Sequence, residues 1–186
     1  MNSVRNKLEN ILDQGSFKEL WSDIHTYNYL EFTGYDEKLK AAKEKSGEKD
    51  SVITGTGMIA GCKCVIAAFE PLFMMGSMGL VAGEKIARAF RYATKKRLPV
   101  ITFSSSGGAR MQEGVISLMQ MAKTSAAVHV HSKKNLIYIS YIRSYVRRRY
   151  RQFRFACGYH HWRAKREIWF HRKTDHRGKY PRKAFG

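Results

Sequence analysis

The sequence predicts an α/β layered fold, and three observations carry that prediction. Apolar runs of strand length recur near 51–53, 64–69, 99–103 and 135–142. Stretches of helical period lie between them, and glycine-rich turns stand where strands give way to helices. Strands alternating with helices along one continuous stretch place a sheet against a helical layer. Residues 1–50 read as an N-terminal helical segment, 51–142 as the α/β core, and 143–186 as a basic aromatic tail.

Val4, Leu8, Ile11 and Leu12 recur at helical spacing, and Gly15 follows as a stop. A second helix is expected from Asp36 to Ser46, with Leu39 and Ala42 inward and Gly47 after it. Ser51 to Gly61 reads as a strand, a tight glycine turn and a return, and Cys64 to Phe69 as a buried strand. Leu72 to Gly79 is a glycine-spaced loop. Glu84 to Lys95 follows as a helix, with Ile86, Phe90 and Ala93 toward the core. Pro99 to Phe103 is a strand, Ser104 to Arg110 a turn, and Gln112 to Ala127 a helix. On that helix Val115, Leu118, Met119 and Ala122 are expected to face inward. Asn135 to Ile142 closes the series as a strand, and no internal repeat of 20–50 residues is visible.

Composition narrows the function classes. The chain has 186 residues, the length of one domain or of one domain with a tail. A hydrophobic content of 44% argues against wholesale disorder. No run of eighteen apolar residues exists, so no membrane span is expected. The N-terminus is polar and lacks the apolar region of a secretory signal. Three cysteines are too few for a disulfide framework, and a cytoplasmic location is expected. Cys62 and Cys64 lack the further ligands of a structural zinc site, so no metal is expected. His129 and His131 read as solvated residues on a loop or edge.

The most informative local feature is Ser104 to Gly114. A strand ends in small residues, Gly107 and Gly108 make the turn, and a helix starts. Glycines let a ligand approach backbone N–H groups, and the unsatisfied amides of a helix start suit a developing oxyanion. A purely structural strand-to-helix turn fits the same residues. Met74 to Gly79, followed by Gly83-Glu-Lys-Ile, has the spacing of a phosphate loop but lacks its Gly-Lys-Ser/Thr ending, so ATP binding is not expected. Arg88 and Arg91 on the following helix read as a solvated face.

Six segments stand in order: Gly15 to Leu20, Tyr35 to Leu39, Gly57 to Gly61, Met75 to Gly79, Gly83 to Ile86, and Ser106 to Ala127. Over about Val4 to Ile142 the chain resembles the carboxyltransferase beta subunit of bacterial-type acetyl-CoA carboxylase. The resemblance implies a crotonase-like fold of ββα units. It also implies transfer of a carboxyl group from carboxybiotin to acetyl-CoA, giving malonyl-CoA for fatty acid synthesis. Implied partners are an alpha subunit, in a heterotetramer, and a biotin carboxyl carrier protein loaded by a separate ATP-using enzyme. No cofactor is expected on this chain itself. By the same resemblance, Gly107 and Gly108 hold an enolate or thioester oxygen through their N–H groups. Ser106, Ala109 and Arg110 line the acyl-CoA site, with Met75, Gly76, Ser77, Met78 and Gly79 as the neighbouring loop. No side-chain base is implied, since the released carboxyl group or biotin takes the proton. Another acyl-CoA, such as propionyl-CoA, remains open as substrate.

The chain departs from that family at both ends. Members open with a four-cysteine zinc ribbon; this chain starts past its end, so the zinc is expected to be absent. Met74 stands where glycine is common. Residues 143–186 hold fifteen Lys/Arg, two acids, ten aromatics and neither Leu nor Met. Such a segment cannot complete a core. Read one nucleotide later through permitted codons, it yields a family-like continuation with an Asp-Pro turn and Gly-Gly-Val. Trp162 and Trp169, with one codon each, both become glycine in that frame. The tail is therefore read as out-of-frame translation and the chain as poorly folded or inactive, with a nucleic-acid-binding arm as the alternative.

Overall fold

The structure, a computed structural model, describes residues 3–142; the expectations for 143–186 lie outside the described residues. The elements are α1 (Val4–Ile11), β1 (Lys18–Glu19), α2 (Tyr35–Ser46), β2 (Val52–Ile59), β3 (Cys62–Phe69), α3 (Leu80–Lys96), β4 (Val100–Ser104), α4 (Gly114–Lys133) and β5 (Tyr138–Ile142). Short 3-10 turns at Met74–Gly76 and Met111–Glu113 precede α3 and α4. One five-stranded sheet has the order β1-β2-β3-β4-β5. β1, β2 and β3 pair antiparallel, whereas β3–β4 and β4–β5 are parallel. α3 and α4 are the crossovers that parallel pairing requires. β2, β3 and α3 make one ββα unit.

β3 shows why the sequence reads as a near-continuous apolar run. Val65, Ala67 and Phe69 face a core built with Ala82, Ile86, Phe90 and Val128 of the helices. Cys64, Ile66 and Ala68 face a second core made with Val4, Leu8 and Leu12 at the N-terminus. Both faces of the strand are covered, so both sets of alternating side chains are apolar. Burial pushes the Cys64 thiol up to about 11, as expected for a packing residue rather than a reactive one.

Residues 1–50 carry α1 and α2 and are joined to this sheet through β1. β1 pairs Lys18 with Thr56 and Glu19 with Gly55. Glu70, at the end of β3, accepts the Val4 N–H at 2.7 Å and caps α1. Arg5 bridges Glu19 and Glu48. α2 ends as its sequence predicts, with Gly47 at φ +71 and its N–H on Lys43 O at 2.8 Å.

The glycine turn expected between 51 and 61 lies later than the glycines suggest. Gly55 and Gly57 are inside β2, and the chain reverses at Ala60–Gly61. A Cβ on Gly55 would lie 2.5 Å from Lys18 O, and one on Gly57 3.1 Å from Leu12 Cδ1. These glycines give room for the N-terminal segment to cross the strand.

The expected inward face of α4 is its outward face. Val115, Leu118 and Met119 are 67%, 50% and 61% exposed, and Ala122 is exposed with them. Ser117, Gln120, Thr124, Ala127, Val128 and His131 are buried instead. Three of these buried side chains bond back to their own helix: Ser117 Oγ donates to Gly114 O, Gln120 Nε2 to Ile116 O and Thr124 Oγ1 to Gln120 O. Close approach to α3 selects this face. A Cβ on Gly83 would lie 2.6 Å from Gln120 Cβ. Helical spacing reveals an apolar stripe, not what the stripe faces.

His131 is likewise not solvated. It sits in α4 at 0% exposure, 5.5 Å edge-on to the Phe90 ring, with Nδ1 2.9 Å from Thr94 Oγ1 and Nε2 3.3 Å from Ile137 O. Burial lowers its pKa below the ordinary histidine value. In the unfolded chain it takes its proton near pH 6.5, before the folded chain does. Stability is then unaffected above that pH and is lost as the pH falls from about 6.5 toward the lowered folded value. Urea melts of wild type and His131→Phe between pH 7 and pH 5 are expected to differ in slope, with the wild type the more acid-sensitive. Equal slopes would contradict this.

Candidate functional site

Two loops meet at the C-terminal ends of β3 and β4. The first, Phe73–Gly79, makes a left-handed turn with Met74, Met75 and Gly76 at φ +44, +57 and +66. Two consecutive methionines in this region are strained, since only glycine enters it without a Cβ penalty. The turn folds tightly onto the second loop: a Cβ on Gly76 would lie 2.2 Å from Ser105 O.

The loops then pair through their backbones. Gly107 N–H donates to Met75 O at 2.9 Å, Met78 N–H to Gly108 O at 2.8 Å, and Arg110 N–H to Met78 O at 2.8 Å. Met78 and Ala109 form a parallel bridge. In that geometry the Ala109 N–H points away from the first loop, and no described group accepts it. The Gly108 N–H donates to Ser106 Oγ at 3.1 Å.

The sequence-predicted residues 75–79 and 106–110 are thus brought together, but they are not equivalent. The Gly107 amide, expected to hold a substrate oxygen, is committed to Met75 O. The Gly108 amide is held by the half-buried Ser106 hydroxyl. Of the three amides in this turn, that of Gly107 is taken by Met75 O and that of Gly108 by Ser106 Oγ, while that of Ala109 faces away from the first loop.

Arg110, expected to line the ligand site, is 1% exposed and lies beneath the loops. Its Nε donates to Ser77 Oγ at 3.1 Å, and Nη2 to Ser77 O at 3.0 Å, Ser51 Oγ at 2.9 Å and Asp50 Oδ1 at 3.0 Å. Nη1 donates to Glu113 Oε1 at 3.0 Å, Thr26 Oγ1 at 3.2 Å and Tyr35 OH at 3.4 Å. Phe73 lies under the guanidinium at 5.4 Å. With every N–H direction engaged inside the protein, Arg110 has none left for a ligand. Burial opposes its charge, but Asp50, Tyr35 and Glu113 raise its pKa overall.

Glu113 is, with Asp50, one of the two buried carboxylates of this cluster and was not singled out from the sequence. It accepts the Tyr35 hydroxyl at 2.7 Å and the Leu80 N–H at 2.5 Å, capping α3. Its carboxylate fills the space beside Gly79, where a Cβ would lie 2.6 Å from Oε1. Burial raises the pKa of Tyr35 and Tyr29 and keeps both phenols neutral. The sequence signal for this cluster is Arg110 and Glu113 three residues apart beside a glycine.

Arg88 pairs with Glu84, which also meets Lys123, so Arg88 belongs to an ion-paired helix face. Among the described residues, no group of three or more His, Cys, Asp or Glu could hold a metal ion. No helix among them is long and apolar enough to cross a membrane.

The carboxyl transferase domain family matches residues 2–145. This chain belongs to that family. Acetyl-coenzyme A carboxylase carboxyl transferase subunit beta of Ruminiclostridium cellulolyticum is 53% identical over 138 residues, covering 74% of this chain and 48% of the relative. The protein of the same name from Alkaliphilus oremlandii is 53% identical over 137 residues, covering 74% and 50%. This carboxyl transferase chain spans about half the length of the curated relatives it matches.

Solved structures give the same architecture. Transcarboxylase 12S with hydrolyzed methylmalonyl-coenzyme A bound superposes with TM-score 0.59 at 30% identity, covering 68% of this chain and 23% of that one. The Pseudomonas malonate decarboxylase MdcD–MdcE hetero-dimer gives 0.53 at 26% identity, covering 72% and 49%. The fold is the crotonase-like one expected from the sequence, and the chain is by family a carboxyl transferase domain.

Proposed function

We propose that this chain carries one side of the acyl-CoA site of an acetyl-CoA carboxylase carboxyltransferase. The 53% identity to subunits of that name supports this reading, together with the paired 75–79 and 106–110 loops that carry the shared motifs. In the proposed reaction, a C–H bond of the acetyl methyl breaks and an enolate forms. Its carbon bonds to the carboxyl group as the N–C bond of carboxybiotin breaks, and the proton ends on biotin. Malonyl-CoA is the product. Gly108 and Ala109 N–H groups would hold the enolate oxygen, with Ser106 Oγ displaced from Gly108. Preorganised amides aimed at such an oxygen are worth about 10²–10³ in rate each.

The proposed partners are an alpha subunit and biotin carboxyl carrier protein, and the proposed location is the cytoplasm. Neighbours described as a hetero-dimer and a hetero-tetramer support a multi-chain site. β5 is paired only with β4 among the described residues, and the apolar face of α4 is uncovered. An edge strand and an apolar helix face are what an incomplete domain leaves behind. This chain is therefore proposed to be inactive by itself.

The test is a malonyl-CoA assay with acetyl-CoA and carboxybiotin, with and without an alpha subunit from a related enzyme. The chain alone is expected to give no turnover, and turnover at the rate of the full-length relatives would contradict the proposal. Deleting residues 143–186 is expected to leave acetyl-CoA binding unchanged. Those residues are proposed to be out-of-frame translation. Sequencing the gene across codons 140–190 and past the stop checks this: the proposal requires an open frame one nucleotide away that encodes Gly-Gly-Val early in the segment.

A further inference from the structure

We propose that Arg110 is a positioning residue that sets the separation of the two site loops, acting from beneath them without touching the substrate. The proposal rests on the carboxyltransferase reading of the site. Arg110 grips the first loop from two directions. Its backbone N–H holds Met78 O, and its guanidinium holds both the hydroxyl and the carbonyl of Ser77. The same guanidinium is anchored to Asp50 and Ser51, where β2 begins. Through Glu113 it also reaches the first amide of α3, the helix that the first loop leads into. One planar fork therefore references the first loop to the sheet and to α3. Because Arg110 stands two residues after Gly108, it references the oxyanion turn to the same frame. The Gly107–Met75 and Met78–Gly108 hydrogen bonds form only if that frame holds.

Lysine keeps the charge but presents its donors from a single point, so it cannot reach Ser77, Asp50 and Glu113 together. Amide hydrogen exchange on the full chain tests the proposal with Arg110→Lys and Ser77→Ala. In Arg110→Lys, the amides of Met78, Gly107 and Arg110 are expected to exchange about tenfold faster, against unchanged amides at Ile66, Ala67 and Ala68 of β3. In Ser77→Ala, which removes one acceptor and keeps Arg110, the same three amides are expected to speed up about threefold. Faster exchange at all of these amides in both variants, or none in either, overturns the positioning role. If Arg110→Lys fails to fold, Ser77→Ala decides alone. Acetyl-CoA titrations on the same samples separate the two readings. Weakening in the order wild type, Ser77→Ala, Arg110→Lys supports both. Loop-specific exchange in the variants, with no acetyl-CoA binding by the wild-type chain, keeps the positioning role and refutes the acyl-CoA reading.

Discussion

Gly76→Ala is expected to destabilise the chain by about 2–4 kcal/mol and to lower its melting temperature by about 10 °C. Two costs combine at this position. The residue sits at φ +66, where alanine pays a backbone penalty, and its Cβ would lie 2.2 Å from the Ser105 carbonyl. The obstacle is backbone, so relief requires the two loops to part, which breaks the Gly107–Met75 hydrogen bond. Gly61→Ala is the control, at φ +75 with nothing within 4 Å, and pays the backbone term of about 1 kcal/mol alone. Thermal melts of both variants check this. Equal losses at Gly76 and Gly61 would show that the loops do not meet as described.

Glu113→Ala is expected to cost about 3–5 kcal/mol, the range for removing one member of a buried ion pair. The carboxylate is 1% exposed and holds Arg110, Tyr35 and Leu80. Its loss leaves Asp50 to balance a fully buried guanidinium, with the orphaned first amide of α3 beside it. Glu113→Gln keeps the shape and an acceptor oxygen, and its cost should be smaller. Urea unfolding at pH 7 gives the comparison; a loss below about 1 kcal/mol for Glu113→Ala would mean that the cluster contributes little.

Local features of this fold were legible in the sequence wherever the cause is local. Gly47 ends α2 because only the residues beside it decide that turn. The apolar run of β3 reads as a strand because both of its faces are covered. Features set at a distance were not legible. Gly55 and Gly57 look like a turn until Phe17, Lys18 and Leu12 are seen against them. The apolar stripe on α4 looks like a core face until Gly83 and Gln120 set the helix contact. Arg110 looks like a ligand residue because its partners Asp50, Tyr35 and Thr26 lie 60, 75 and 84 positions away in the chain. The glycine turn was located correctly, but which amide is free depends on Met75, thirty-two residues upstream of Gly107.

We propose that the turn at Ser106–Arg110, braced by the Met75–Gly79 loop, receives the thioester oxygen of an acyl-CoA. Titrating acetyl-CoA into the isotope-labelled chain and following backbone amide resonances tests it directly. Saturable shifts are expected, largest at Gly108 and Ala109, smaller at Met75 and Met78, and absent at Ala67 and Phe90. Absence of shifts at Gly108 and Ala109 while others saturate, or no saturable shift at all, would contradict it.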